Sequence, residues 1–543
     1  MEELLLNKSG KKIILLGNEA ICRGGLEAGL QFVSTYPGTP ASEIGNTFFK
    51  IAPKTGIYFE FSTNEKVALE AGIGASFSGL KTLIAMKSFG LNVAQDSLLP
   101  FLYTGTKGPT VIVVADDPSC HSSAQSEENT RAISYLAHIP TLEPSDPQEC
   151  KDFTKLAFQI SERFRIPVII RITTRVAHQR GVVRVLNLKF RKLKRGKFVK
   201  DVKRFVTLPP RVLEMKKELL EKERKVREFS EKSSINREQF SVKSQIGIIT
   251  SGISYLYVME ALKELNLKLP VLKLGFFYPL PEKKIKNFIK KLRKVLIVEE
   301  LEPYLEKEIE RLAKQSNCKL EVIGKKIIPE VGELKPELAL SAIAKFANKK
   351  YQIPNTKYEI RASKRFPQLC PGCPYWLVFG AIKKAVDPQK VIFGGDIGCY
   401  MLAGLPPHFL QDYLSCMGSS IGIAHGIKKA TGQKLITFIG DSTFFHAGIP
   451  ALINTVFNKS NPLIIVMDNM TTAMTGHQPH PGAPATPDGI KIENIVKGCG
   501  VKNWKVIDPA NQKEFVATVK EFLTKPEVSV IIARHPCIFV TKK

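Results

Sequence analysis

Twenty-six residues separate the triplet Gly440-Asp441-Ser442 from Asn469, and Asp441 and Asn469 carry the side chains of a hard-cation site. A carboxylate and a carboxamide oxygen suit Mg2+, which keeps several waters and takes phosphate oxygens rather than an all-protein cage. A second chemical grouping is Cys370-Pro371-Gly372-Cys373. Two thiols at that spacing serve as a redox pair or as half of a zinc site. The remaining question is what positions these groups. Leu435-Ile436-Thr437-Phe438-Ile439 reads as a buried strand with Asp441 just past its carboxyl end. Pro462 to Met467 reads as a neighbouring strand ending at Asp468-Asn469. Ligands of open α/β sheets sit beyond the carboxyl ends of the strands, so both residues arrive at one crevice.

The same alternation of strands and helices runs along the chain. Ile13–Leu16, Phe32–Tyr36, Thr82–Met86, Thr110–Ala115 and Pro167–Arg171 read as strands, with a helix from Glu19 to Ala28. Strands alternating with helices imply a parallel, doubly wound α/β sheet over residues 1–186. Residues 187–243 are polar and basic and read as a connector holding one solvated helix. A middle α/β domain is expected over 244–348, with Ile246–Thr250 and Val295–Val298 as strands, and a last one over 360–543.

A chain of 543 residues exceeds what one hydrophobic core supports. Its apolar fraction of 44% and charged fraction of 24% are those of an ordinary globular enzyme. The amino-terminal residues lack the basic and apolar regions of a signal peptide, and no apolar run reaches the roughly 18 residues that span a bilayer. A cytoplasmic protein is expected, with no membrane partner. The net charge of +28 is partly local, with nine basic residues and one Asp between Lys189 and Arg204. No nucleic-acid motif accompanies it, so a Lys-rich surface is the reading and nucleic acid is not an expected partner. Ten cysteines in a cytoplasmic chain are not expected to form disulfides.

Several segments carry a family resemblance: Gly17-Asn18-Glu19-Ala20, Tyr36-Pro37-Gly38-Thr39-Pro40, Asn64-Glu65-Lys66-Val67-Ala68-Leu69-Glu70, Gly440-Asp441-Ser442-Thr443-Phe444-Phe445-His446, and Thr472-Ala473-Met474-Thr475-Gly476-His477-Gln478-Pro479-His480-Pro481-Gly482. Together they resemble the large subunit of the indolepyruvate:ferredoxin oxidoreductases, thiamine diphosphate-dependent enzymes, over nearly the whole chain. The resemblance implies two thiamine diphosphate-binding domains, one for the aminopyrimidine and one for the diphosphate, and a middle domain like the carboxyl-terminal domain of transketolase. It implies Mg2+ held by Asp441, Asn469 and the Thr471 carbonyl, with Gly440, Ser442, Thr475 and Gly476 also at the cofactor. Ser442 would open a helix whose amino terminus favours the diphosphate. Glu65 matches the glutamate that bonds the aminopyrimidine N1′ and promotes loss of the C2 proton; Glu60 is its rival by position. Thr39 and Lys87 are candidates for gripping the substrate carboxylate. His446, His477 and His480 adjoin the metal site, with His477 the candidate for proton transfer. Met474 stands where pyruvate-specific relatives carry Asn, and an apolar residue there suits an aryl substrate.

The cysteines extend the resemblance. Cys370, Cys373, Cys399 in Gly395-Asp396-Ile397-Gly398-Cys399, and Cys537 are similar to the four ligands of the family's proximal [4Fe–4S] cluster, with Cys416 as a substitute. Family members usually continue into a ferredoxin-like domain with two further cysteine runs, which are absent before Lys543. The implied activity is oxidative decarboxylation of an arylpyruvate to an arylacetyl-CoA and CO2, with electrons passing to ferredoxin. The implied assembly is a hetero-oligomer with a smaller (beta) subunit. A non-oxidative thiamine decarboxylase or carboligase, and a non-catalytic polyanion-binding subunit, are the alternatives left open.

Overall fold

The computed structural model describes residues 3–188, 195–240, 242–351, 367–483 and 489–540. The chain divides into two compact units, Met1–Lys357 and Tyr358–Lys543. Part of the basic run, residues 189–194, lies outside the described residues, as do residues 360–366 at the start of the expected last domain. Among the described residues no helix is long and apolar enough to cross a membrane.

The first unit is built on a seven-stranded sheet in the order Phe276–Tyr278, Thr141–Leu142, Val168–Thr173, Thr110–Asp116, Thr82–Lys87, Phe32–Thr35, Tyr58–Phe61. All neighbours are parallel except the first pair. Thr110–Asp116 and Val168–Thr173 are buried along their whole length. That is why they read as continuous β-branched runs rather than alternating ones: helices cover both faces of a parallel sheet. A five-stranded sheet follows, ordered Glu321–Ile323, Lys294–Val298, Ile246–Ser251, Val271–Leu274, Arg237–Gln239, with the last strand antiparallel.

The structure departs from or adds to the sequence reading at four places. Lys12–Leu16 does not join the parallel series; it pairs antiparallel with Arg180–Arg184 in a two-stranded ribbon. Its alternation of exposed and buried residues is the pattern of a strand with one wet face, and Ile14 and Val182 pair on that face. Tyr58–Phe61 is an additional edge strand, only partly buried and short enough to escape a periodicity reading. Phe276–Tyr278, from the middle segment, leaves its own neighbourhood to extend the first sheet. The connector helix, Arg211–Lys232, is not simply solvated. Met215, Leu219, Val226 and Ser230 form a buried stripe along it, spaced as one helical face.

The second unit holds a parallel sheet in the order Ile392–Gly394, Leu435–Gly440, Leu463–Asp468, Ser529–Arg534, Asn503–Ile507. Leu435–Gly440 and Leu463–Asp468 are buried throughout. Gly440 lies in register with Met467, which brings Asp441 and Asn469 out side by side.

Candidate functional site

The carboxyl ends of four adjacent strands in the second unit carry the chemistry. The segment after Ile392–Gly394 bears Asp396 and Cys399, Leu435–Gly440 leads to Asp441, Leu463–Asp468 to Asn469, and Ser529–Arg534 to Cys537. Asp441, Asn469 and Thr471 are all buried. The helical run begins at Asp441 with Gly440 as its cap, one residue earlier than the Ser442 start expected, and includes a π-turn over Phe444–Gly448. The Ser442 N–H donates to Asp441 Oδ1 at 2.7 Å, and the Thr472 hydroxyl donates to Ser442 Oγ at 3.1 Å. The room left by Gly440 is taken by a protein ring: a Cβ there would lie 2.8 Å from Tyr400 Cε1.

One atom of the Asn469 carboxamide lies 2.7 Å from the Thr471 carbonyl oxygen and 3.3 Å from Asp441 Oδ2. Six ligands at the 2.0–2.1 Å of a magnesium site are about 2.9 Å from their neighbours. The Asn469 atom therefore stands from each of the other two at about the spacing of neighbouring corners of such an octahedron, and this donor set of oxygens suits Mg2+. His480 is buried against them. The Gly482 N–H donates to His480 Nδ1 at 3.2 Å, so Nε2 carries the proton and donates it to Asp441 Oδ2 at 3.1 Å. A hydrogen bond from a neighbouring imidazole orients a carboxylate for metal binding. Of the three histidines expected beside the metal site, His480 is the one that touches Asp441. His477 is exposed and stacks on Phe539, while His446 is buried on the π-turn. Thr475 closes its own loop, donating to Gln478 Oε1 at 2.7 Å, and Gly476 turns that loop at a φ of 124°. Next door, Arg534 bonds Asp468 and Glu493. Burial, and then the charge of Asp441, still push the Asp468 carboxyl above its ordinary range.

The four singled-out cysteines are neighbours. Burial pushes the Cys373 thiol up to about 11, and Cys399, Cys537 and Cys370 add to the rise. Cys399 is likewise pushed up to about 11, by burial first and then by Cys537 and Cys370. Thiols that oppose one another's ionisation become favourable ligands once a metal supplies positive charge. Among the described residues no three His, Cys, Asp or Glu side chains gather as a single-ion site. An iron–sulfur cluster asks for something different, since each thiolate binds its own iron and the ligands surround a volume. The four are of the ligand type and number that one such cluster takes. Cys416 is exposed, with its carbonyl accepting from the Ser419 N–H and hydroxyl. The Cys537 N–H donates to the Asn469 carbonyl at 3.0 Å, tying the thiol segment to the oxygen site.

In the first unit, Glu65 is the first residue of the helix Glu65–Phe77, with the Asn64 side chain accepting from the Val67 N–H. Its side chain is buried, which acidic side chains rarely are. Glu60 lies on the edge strand, where its oxygens accept from the Tyr58 and Ser62 hydroxyls. A Cβ at Gly90 would lie 2.5 Å from Glu65 Cγ and 2.8 Å from its Oε1. Gly90, which no sequence motif singled out, therefore makes room for the Glu65 carboxylate. Lys87 ends the strand Thr82–Lys87; its ammonium donates to Ser123 Oγ at 2.8 Å and to the Ser122 carbonyl at 3.2 Å. Burial lowers its pKa, against the charges of Asp117 and Glu65. Gly38, the neighbour of Thr39 in the chain, packs on the Lys87 stem, and the Thr39 hydroxyl lies 3.3 Å from that of Ser42.

Parallel sheets with these groups at their carboxyl ends define the class, a thiamine diphosphate-binding enzyme chain. Residues 396–533 match the carboxyl-terminal thiamine pyrophosphate-binding domain of thiamine pyrophosphate enzymes. Residues 23–240 match the thiamine diphosphate-binding region of pyruvate flavodoxin/ferredoxin oxidoreductases, and 236–347 the indolepyruvate oxidoreductase domain. The chain belongs to the family of the indolepyruvate oxidoreductase subunit IorA. It is 44% identical to that subunit from Methanothermobacter thermautotrophicus, over 99% of this chain and 89% of the relative. It is 43% identical to the one from Pyrococcus horikoshii, over 98% and 87%. A solved 2-oxoglutarate:ferredoxin oxidoreductase from Magnetococcus marinus shares the fold, with a TM-score of 0.50 at 18% identity. That likeness covers 62% of this chain and 65% of the other, a little under two thirds of it.

Proposed function

We propose that this chain is the catalytic subunit of an arylpyruvate:ferredoxin oxidoreductase, converting an arylpyruvate and CoA to an arylacetyl-CoA and CO2 and passing two electrons to ferredoxin. The observation that carries the reading is that three oxygen donors and four cysteines come to the carboxyl ends of adjacent strands of one parallel sheet, in a chain of this family. Thiamine diphosphate supplies the electron sink for decarboxylation of a 2-oxo acid. Asp441, Asn469 and the Thr471 carbonyl hold Mg2+, and Ser442 lies at the start of the adjoining helix, where backbone N–H groups favour the diphosphate. Glu65 would bond the aminopyrimidine N1′ and hold or move a proton there. Lys87 and Thr39 bind the substrate carboxylate, and the half-exposed Met474 offers an apolar contact to an aryl group. Cys370, Cys373, Cys399 and Cys537 would hold a [4Fe–4S] cluster, which would supply one-electron chemistry there. A smaller subunit completes a cytoplasmic hetero-oligomer.

The direct test is anaerobic purification with any co-purifying partner, followed by metal and thiamine analysis. The expected result is about four irons per chain in this subunit and a brown protein. An iron-free preparation that still oxidises arylpyruvates would sink the oxidoreductase reading.

Gly90→Ala tests the Glu65 arrangement without touching the carboxylate itself. The added methyl overlaps Glu65 Cγ and Oε1, so the side chain must move. Misplacement of a reacting group by about 1 Å costs roughly 100-fold, and a loss of at least about 10-fold in turnover is expected. Unchanged turnover with intact circular dichroism would show that Glu65 does not need this position.

A further inference from the structure

The carboxamide of Asn469 has two orientations, and hydrogen bonding distinguishes them. The atom that does not face Asp441 and Thr471 lies 3.1 Å from the hydroxyl of Tyr375. Tyr375 is buried, the first residue of the helix Tyr375–Ala385 and two residues beyond Cys373. Its hydroxyl donates to the Met467 carbonyl, also at 3.1 Å. A phenol has one proton, so once Met467 takes it Tyr375 can only accept from Asn469. The atom facing Tyr375 is then the amide nitrogen, and the oxygen faces Asp441 and Thr471. In this orientation the Thr471 N–H also donates to Asn469 Oδ1, at 3.3 Å.

The opposite orientation points the nitrogen inward, where it donates to the Thr471 carbonyl and Asp441 Oδ2. It leaves Tyr375 facing two acceptors with one proton. The inward-oxygen orientation satisfies Tyr375 fully but sets the amide oxygen against two others, which a cation relieves. The amide is therefore a two-state element on which a metal ion and the tyrosine act in the same direction.

We propose that the Tyr375 hydroxyl is a positioning group for metal binding, holding the Asn469 carboxamide with its oxygen toward the ion. The inference rests on the magnesium–diphosphate reading of Asp441, Asn469 and Thr471. The two are separable by titrating the full chain, with its co-purified partner and thiamine diphosphate, with Mn2+ followed by electron paramagnetic resonance. Tyr375→Phe keeps the ring and removes the hydroxyl, and is expected to weaken Mn2+ binding about 10–100-fold, the usual cost of losing an outer partner. Asn469→Asp presents an oxygen in either orientation, so it should bind Mn2+, and adding Tyr375→Phe to it should change the affinity less than about 3-fold. Comparing the pair in a cycle isolates their coupling from simple packing loss. Wild-type affinity in Tyr375→Phe overturns the inference. So does an equal loss in the Asn469→Asp background, or an Asn469→Asp protein that does not hold the ion. If Asp441→Asn binds Mn2+ as wild type does, the magnesium reading itself fails and takes this inference with it.

Discussion

Glu65→Gln is expected to lower arylpyruvate-dependent dye reduction by about 100–10,000-fold, the range over which a positioned acid–base group contributes. The substitution is isosteric, so the buried cavity beside Gly90 stays filled and the helix keeps its cap on Asn64. What changes is the proton inventory. A carboxylate can accept and return a proton, whereas a carboxamide cannot. Binding of thiamine diphosphate should change far less than turnover, because the residues proposed to hold the diphosphate and the metal are untouched. Glu60→Gln is the matched control. Glu60 bonds two hydroxyls on an edge strand, and its substitution should leave turnover within about 2-fold, as for surface changes generally. Normal turnover in Glu65→Gln would remove the acid–base role, and a loss confined to Glu60→Gln would move it to the rival.

Asp441→Asn should have opposite effects on metal binding and on stability. Losing the only carboxylate of the oxygen triad should cost Mn2+ affinity more than the 10–100-fold of an outer partner. The metal-free protein should melt at a higher temperature. Asp468 is buried beside Asp441, and its raised pKa, set by burial first and then by that neighbour, makes its charge costly in the fold. For a carboxyl raised above its unfolded value, the cost is present at neutral pH and is relieved as pH falls toward the unfolded pKa of about 4. Removing the Asp441 charge should thus raise the midpoint at pH 7 and leave little gain below about pH 4. Scanning calorimetry with and without metal and thiamine diphosphate reads both effects. A lower midpoint for the metal-free variant would show that the bonds from His480 and the Ser442 N–H outweigh the repulsion.

The longer buried strands of the first unit, the two long buried strands of the second, and the places of Asp441, Asn469 and Glu65 along the chain were legible in the sequence. Each rests on a local signal: a run of apolar residues, a turn, or a short motif. Only the tertiary structure decided that Lys12–Leu16 leaves the main sheet to pair with Arg180–Arg184, because strand pairing is a long-range choice that periodicity does not encode. The same holds for Phe276–Tyr278, a three-residue strand recruited by a distant neighbour. At the site, spacing could not show that Gly90 makes room for Glu65, or choose between His477 and His480. Nor could it place Tyr375 against Asn469. Glycine and tyrosine at those positions carry no motif of their own, and their roles come from atoms brought within about 3 Å by packing. The sequence determined which groups this protein has for chemistry; the fold decided which of them touch, since contact depends on neighbours far away along the chain.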